Sequence, residues 1–180
     1  MTYLLNLDYQ VFIWFNHFAH QSLVLDWLIV FFAHYLPLII GGGLVVVWLV
    51  KHGTRQAITS AFLALVLGRV FLVEFIRLVL PRDRPFLSLE VIQLIAKDAE
   101  QSFPSGHATA LFAIAFAIYV YNKKYGLFLV SLAILVSLFR VMTGVHYPSD
   151  ILAGALLGLF SAWVINRFLK QQIEYIVTKF

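Results

Sequence analysis

The sequence predicts an all-α bundle of about five to six membrane helices, with an N-terminal amphipathic helix and a short surface helix added to it. Three observations carry this. Of 180 residues, 62% are hydrophobic and 12% are charged, about half the charged share of a soluble domain. Apolar runs recur at lengths that match the ~30 Å hydrocarbon core of a bilayer. Pro, Gly and clustered charge separate the runs, and these are the residues that end helices. No internal repeat or low-complexity segment stands out, so residues 1–180 are expected to form one domain.

Residues 1–20 contain no Lys or Arg and no small-residue cleavage site, unlike a signal peptide. Leu4, Leu5, Val11, Phe12, Phe15 and Phe18 recur near helical spacing, while Asn6, Gln10 and His17 lie towards another face. This reads as an amphipathic helix lying in the membrane interface. The alternative is a poor spanning segment weakened by Asp8, Asn16 and His17.

Residues 22–50 are apolar but carry Pro37 and Gly41-Gly42-Gly43. As a helix the run would be about 43 Å long, so a tilted or broken helix with its main span near 35–50 is expected. Asp26 and His34 are placed at the interface. The following spans are roughly 56–80, 105–121, 126–143 and 148–167. Gly154 and Gly158 form a small-xxx-small pair, a helix-packing signal rather than a functional one. Between spans, Leu87, Val91, Leu94 and Ile95 oppose Glu90, Gln93 and Lys97, which predicts the short surface helix. Residues 81–103 are long for a connection and suit a lid or lipid-entry element.

The spans sort the charges. Lys51, Arg55, Lys123, Lys124, Arg167, Lys170 and Lys179 fall on one side; Arg77, Arg82, Arg84, Lys97 and Arg140 fall on the other. The richer side is expected to be cytoplasmic. The same distribution accounts for the pI near 9.4 better than nucleic-acid binding does. There are no cysteines, so disulfides and thiolate metal sites are excluded. Glu74 and Arg77 are three apart on one helical face, so Glu74 is expected to steer Arg77. Arg69 lies deeper in the same span and reads as a structural partner, a substrate contact being the alternative.

Three stretches carry chemistry. In Arg140–Asp150, RVMTGVHYPSD, Pro148 predicts a helix start near Tyr147. That places Asp150 in the first turn, within reach of the His146 ring N–H. A carboxylate on one imidazole nitrogen leaves the other as a lone pair, and Arg140 adds a fork of donors suited to phosphate. A helix start with a capping Asp and a polar loop is the plainer alternative. In Gln101–Ala110, QSFPSGHATA, Pro104 opens a helical run with Ser105 and Gly106 in its first turn, where free backbone N–H groups attract anions. His107 projects from the same turn. In Arg77–Phe86, RLVLPRDRPF, six residues separate Arg77 from Arg84-Pro85; arginines there could equally be headgroup anchors.

Together these stretches resemble the three motifs of the PAP2 (type 2 phosphatidic acid phosphatase) superfamily: Lys-x6-Arg-Pro, Pro-Ser-Gly-His and Ser-Arg-x5-His-x3-Asp. Here they read Arg77-x6-Arg84-Pro85, Pro104-Ser105-Gly106-His107 and Phe139-Arg140-x5-His146-x3-Asp150, across residues 70 to 165. Arg77 stands for the usual Lys, and Phe139 for the usual Ser, so a hydroxyl near the phosphate is missing.

The resemblance implies a PAP2-like membrane phosphatase. His146 would attack phosphorus and form a phosphohistidine, Asp150 would orient it, and His107 would protonate the leaving oxygen and then activate water. Arg77, Arg84, Arg140, Ser105 and the Gly106 N–H would bind the phosphoryl oxygens. A rival is a metal site on His107, His146 and Asp150; arginines around a cation would repel it, so an anion and no metal or cofactor is expected.

The short chain, amphipathic start and charge distribution look most like the bacterial undecaprenyl-diphosphate phosphatase branch, which implies action at the outer face of the plasma membrane. Phosphatidylglycerophosphate, phosphatidate and lipid A phosphates stay open as substrates. Vanadate haloperoxidase chemistry shares the motifs but fits a membrane chain with Arg77 less well. A non-enzymatic transporter or scaffold is the third class. The partners implied are the bilayer and a lipid phosphate, not nucleic acid.

Overall fold

The computed structural model describes residues 2–96 and 101–178. Lys97 and Lys179 lie outside them, as do the side chains of Leu4 and Leu5. Among the described residues the chain is all-helical. The helices are α1 (Thr2–Asn16), α2 (Leu23–Val50), α3 (55–79), α4 (Pro85–Ser88), α5 (Gly106–Tyr121), α6 (Lys123–Met142), α7 (Pro148–Phe168) and α8 (Lys170–Thr178). Of these, α2, α6 and α7 are long and apolar enough to cross a membrane. The chain is an integral membrane protein built as a helical bundle.

Helix α5 is the centre of that bundle. Ala108, Thr109, Leu111, Phe112, Ala113, Ile114, Ala115, Ala117 and Ile118 are all buried, because α3, α6 and α7 pack around it. A helix apolar on every side belongs in such a place. Gly154 and Gly158 let α7 approach it. A Cβ on Gly154 would lie 2.6 Å from the Ser105 carbonyl oxygen, and one on Gly158 would lie 2.5 Å from that of Thr109. The small-residue pair therefore does serve packing, and it holds the second and third motifs together.

Two helices contain π turns. In α2 the turn spans Phe31–Tyr35, and the run from Leu23 to Val50 is one helix, unbroken at Pro37 and the glycines, where a tilted or broken helix was expected. Pro37 has no N–H to give the Ala33 carbonyl four residues earlier; Arg140 donates to that carbonyl instead, at 3.2 Å. In α3 the π turn spans Val66–Leu72, beside Gly68, where a Cβ would meet the Ser161 hydroxyl at 2.7 Å.

The surface helix expected over 87–97 is not there. Helix α4 covers only Pro85–Ser88, and 89–96 is an irregular strap. Its backbone bonds go elsewhere: the Ile92 N–H and carbonyl both bond the Asn16 side chain, at 3.0 and 2.8 Å, and the Leu94 N–H bonds the Thr143 carbonyl at 3.2 Å. Tertiary partners outbid the weak helical pattern of so short a segment.

Helix α1 buries part of the face its pattern suggests: Phe12 is buried and Val11 and Phe15 are half-buried, while Phe18 is exposed. Two polar residues are covered as well, Asn16 fully and Asp8 nearly so, and Leu7, Ile13 and Trp14 are exposed. Asn6, Gln10 and His17 are exposed as expected.

Candidate active site

Four helix ends meet at one pole: the C-termini of α3 and α6 and the N-termini of α5 and α7. Helix α7 starts as its sequence dictates, with Tyr147 as N-cap and Pro148 in the first turn. Asp150 at the third helical position accepts the Tyr147 N–H at 2.8 Å, half of a capping box. The same oxygen accepts the Ser102 hydroxyl, and the other accepts Arg82 at 2.8 Å. His146 Nδ1 lies 3.5 Å from this carboxylate. That is longer than a normal hydrogen bond, and among the described residues Nδ1 has no hydrogen-bond partner, while the facing oxygen accepts from Ser102 and Tyr147.

The His146 ring is 1% exposed. Burial pushes its pKa down to about 4; Arg140 and Arg84 push the same way, while Asp150 opposes them. The imidazole is therefore neutral at physiological pH. Its Nε2 lies 3.4 Å from the Arg84 guanidinium, as expected for a lone pair facing a donor.

Arg84 is itself 1% exposed. It donates to the Val145 carbonyl at 2.9 Å and to the Gln101 carbonyl at 3.3 Å, so its fork ties the first motif to the other two. Arg140, also buried, reaches the same centre from the last turn of α6, and its Nε has no hydrogen-bond partner. Phe139 stacks on Phe32 at 4.9 Å between centroids, so the residue at the usual serine position packs on α2. Arg77 is bonded by Glu74 at 3.2 Å, the steering expected of that pair. Glu74 also holds Arg69 at 2.5 Å.

Ser105 is the N-cap of α5, its hydroxyl accepting the Ala108 N–H at 3.5 Å. Its own N–H donates to the Asp150 carbonyl at 3.0 Å, which binds the second motif to the third. Gly106 and His107 open the helix, His107 half-buried. The structure thus brings His146, Asp150, Arg84, Arg140 and Ser105 together directly. Arg77 belongs to a neighbouring cleft of about 510 Å³ lined by Arg69, Glu74, Leu78 and Gln101.

Sequence reasoning missed a network around Asp150. Arg82 bridges Asp150, the Ser149 hydroxyl (2.6 Å) and Asp8 (2.8 Å), and lies 3.9 Å over the Tyr147 ring. Asp8 accepts the Ser149 N–H at 2.8 Å and its hydroxyl at 2.6 Å. The only hint in the sequence was Asp8, the one acid in the first helix. Asn16, on the same face two turns on, also donates to the Met142 carbonyl at 3.0 Å. Among the described residues no group of three or more His, Cys, Asp or Glu could hold a metal.

Residues 62–174, which contain all three motifs, match the PAP2 superfamily. The bacitracin transport permease protein BcrC of Bacillus licheniformis is 35% identical over 160 residues, 88% of this chain and 77% of that one. The undecaprenyl-diphosphatase BcrC of Bacillus subtilis is 32% identical over 164 residues, 90% and 84% of the two chains. The crystal structure of Aquifex aeolicus LpxE superposes with a TM-score of 0.77 at 26% identity, covering 90% of this chain and 96% of that one. A motif-bearing match over residues 62–174, relatives aligned over more than three quarters of their length and a shared fold together make this chain a member of the PAP2 superfamily, a membrane lipid phosphatase.

Proposed function

We propose that the protein removes the terminal phosphate of a polyprenyl diphosphate, undecaprenyl diphosphate being the best candidate, through a phosphohistidine on His146. The observation that carries the chemistry is a buried, neutral imidazole with a carboxylate behind it and arginines in front. Neutral Nε2 attacks the terminal phosphorus, forming the N–P bond as the bond from phosphorus to the bridging oxygen breaks. The lipid monophosphate leaves, and His107 gives its bridging oxygen a proton where one is needed. Water then attacks phosphorus with His107 as base, releasing orthophosphate and restoring His146.

Arg84 donates to Nε2 at rest and turns to the phosphoryl oxygens when substrate enters. Arg140, Arg77, Ser105 and the Gly106 N–H complete their binding, stabilising charge where it develops. Asp150 is held by Arg82, Ser102 and Tyr147, so it fixes the ring without itself moving. The substrate assignment draws support from the undecaprenyl-diphosphatase relative. The charge asymmetry of the loops supports a plasma-membrane protein with this pole facing outward.

Phosphate release by purified protein from undecaprenyl diphosphate, phosphatidylglycerophosphate, phosphatidate and lipid A tests the substrate. The diphosphate should have the highest kcat/KM; a clear preference for any monophosphate refutes the assignment. Activity should survive chelation, and vanadate should inhibit. Orientation is read from single cysteines: in intact cells an impermeant reagent should label Ser88→Cys and spare Asn122→Cys.

A further inference from the structure

Arg69 was expected to be a structural charge deep in its span, yet 36% of its side chain is exposed. It lines the cleft beside the site with Glu74, Arg77, Leu78 and Gln101. Its stem and Nε cross the start of α5 so closely that a Cβ on Gly106 would lie 2.4 Å from Nε. The residue therefore stands over the same helix start that would bind the transferred phosphate.

The π turn aims it there. In a regular α-helix, residues five apart project about 140° away from each other at about 100° per residue. The π turn over Val66–Leu72 follows i→i+5 spacing, which brings residues five apart onto one face. Arg69 meets Glu74 in this way, and Arg77 joins one turn later. A pair needed only to neutralise Glu74 would not need two arginines, and a membrane segment sheds surplus charge unless it has work. Among the described residues, Arg69, Arg77 and Glu74 together carry a net positive formal charge at the cleft.

The cleft's other features fit an amphiphilic anion. Leu78, 84% exposed, forms an apolar lip continuous with the outward side of α3. Gln101 joins the cleft to the centre, since its carbonyl accepts from Arg84 at 3.3 Å. Inner and outer arginines are thus arranged in two tiers. Arg84 and Arg140 lie at 1% and 2% exposure around His146, and Arg69 lies outside them towards the lipid.

We propose that Arg69 binds the lipid-linked phosphate of a diphosphate substrate, the phosphate that leaves, and so selects diphosphates over monophosphates. This rests on the diphosphate reading above. Arg69 touches no group that is transferred; it binds the departing phosphate and offsets the charge that grows on it.

The test compares wild type, Arg69→Gln and Arg69→Lys on farnesyl diphosphate, farnesyl monophosphate and p-nitrophenyl phosphate. In Arg69→Gln, kcat/KM should fall about 10- to 100-fold on the diphosphate, the loss expected for one charged hydrogen bond, and at most about threefold on the other two. The inhibition constant of a non-hydrolysable farnesyl methylene-diphosphonate should rise by a similar factor while that of vanadate stays fixed. Arg69→Lys keeps the charge beside Glu74 but not the fork, and should fall between. It carries the same comparison if Arg69→Gln does not fold.

An equal loss on all three substrates, or an unchanged diphosphonate constant, assigns Arg69 to structure and overturns the inference while wild-type diphosphatase activity leaves the substrate reading standing. A wild type that hydrolyses only the monophosphates overturns both.

Discussion

The two ends of α5 are built from opposite materials. At its N-terminus, polar groups are buried and tied to one another: Ser105 to Asp150, Asp150 to Arg82, Arg84 to Val145 and Gln101. At its C-terminus, about 24 Å away at the α-helical rise, Tyr121 shares one hydrogen bond with Ser60 at 2.8 Å and carries Lys170 over its ring at 5.3 Å. Lys123 and Lys124 there are exposed. The lesson is that charge at the second end serves position in the membrane, where water and headgroups satisfy it. Charge at the first end is desolvated, costs stability unless every donor finds an acceptor, and is kept for chemistry.

Breaking the first end at its centre should have the largest effect. His146→Ala should abolish turnover and any acid-labile phosphoenzyme, whereas His107→Ala should cost about 10²–10⁴-fold, the range for a general acid. The His107 loss should shrink on an aryl phosphate with an acidic phenol, whose departure needs no proton. Rapid-quench trapping with mass spectrometry locates the phosphate; label on His107 would reverse the two roles.

The next effect concerns the turn that delivers His146. Gly144 has φ +81°, and a Cβ there would lie 2.4 Å from the Ile92 carbonyl oxygen. Gly144→Ala therefore sets a left-handed backbone, worth roughly 1–3 kcal/mol, against the strap that Asn16 pins in place. Thermal stability in detergent should drop and kcat/KM with it, and an Ala variant as stable as wild type would show that the strap is not held there.

Acid should expose the same contrast more gently. The folded pKa of His146, about 4, lies below the unfolded value of about 6.5. The unfolded chain then binds the proton more tightly, so this residue's contribution is complete above about pH 6.5 and is lost as pH falls towards 4. Thermal midpoints of wild type should decline through that window more steeply than those of His146→Gln; parallel slopes would contradict it.

The smallest effect belongs to the far end. Tyr121→Phe removes only the Ser60 hydrogen bond, so stability should change by about 0.5–1.5 kcal/mol with kcat/KM unchanged. A loss of activity there would mean that the two ends are coupled after all.

How much could be read before the structure follows from range. Pro148, Pro104 and the apolar runs act within a turn or two, and the helix starts at Gly106 and Pro148 lie where those residues put them. Gly154 and Gly158 announce close packing without naming its partner. The strap over 89–96 failed as a helix because Asn16, 76 residues from Ile92, took its backbone groups.

By itself, then, the sequence determined an all-helical membrane chain, the spacing that identifies the three PAP2 motifs, and the pairing of Glu74 with Arg77 on one turn. These are local consequences of hydropathy, helix period and capping. Only the tertiary structure decided which acid stands behind Arg82, that Ser102 shares Asp150 with His146, that Phe139 packs on Phe32, and that a π turn lays Arg69 across Gly106. Each joins residues far apart in the chain or alters the helical period itself. A local pattern cannot encode these, because burial makes a polar group choose whichever partner the packed fold brings within about 3 Å.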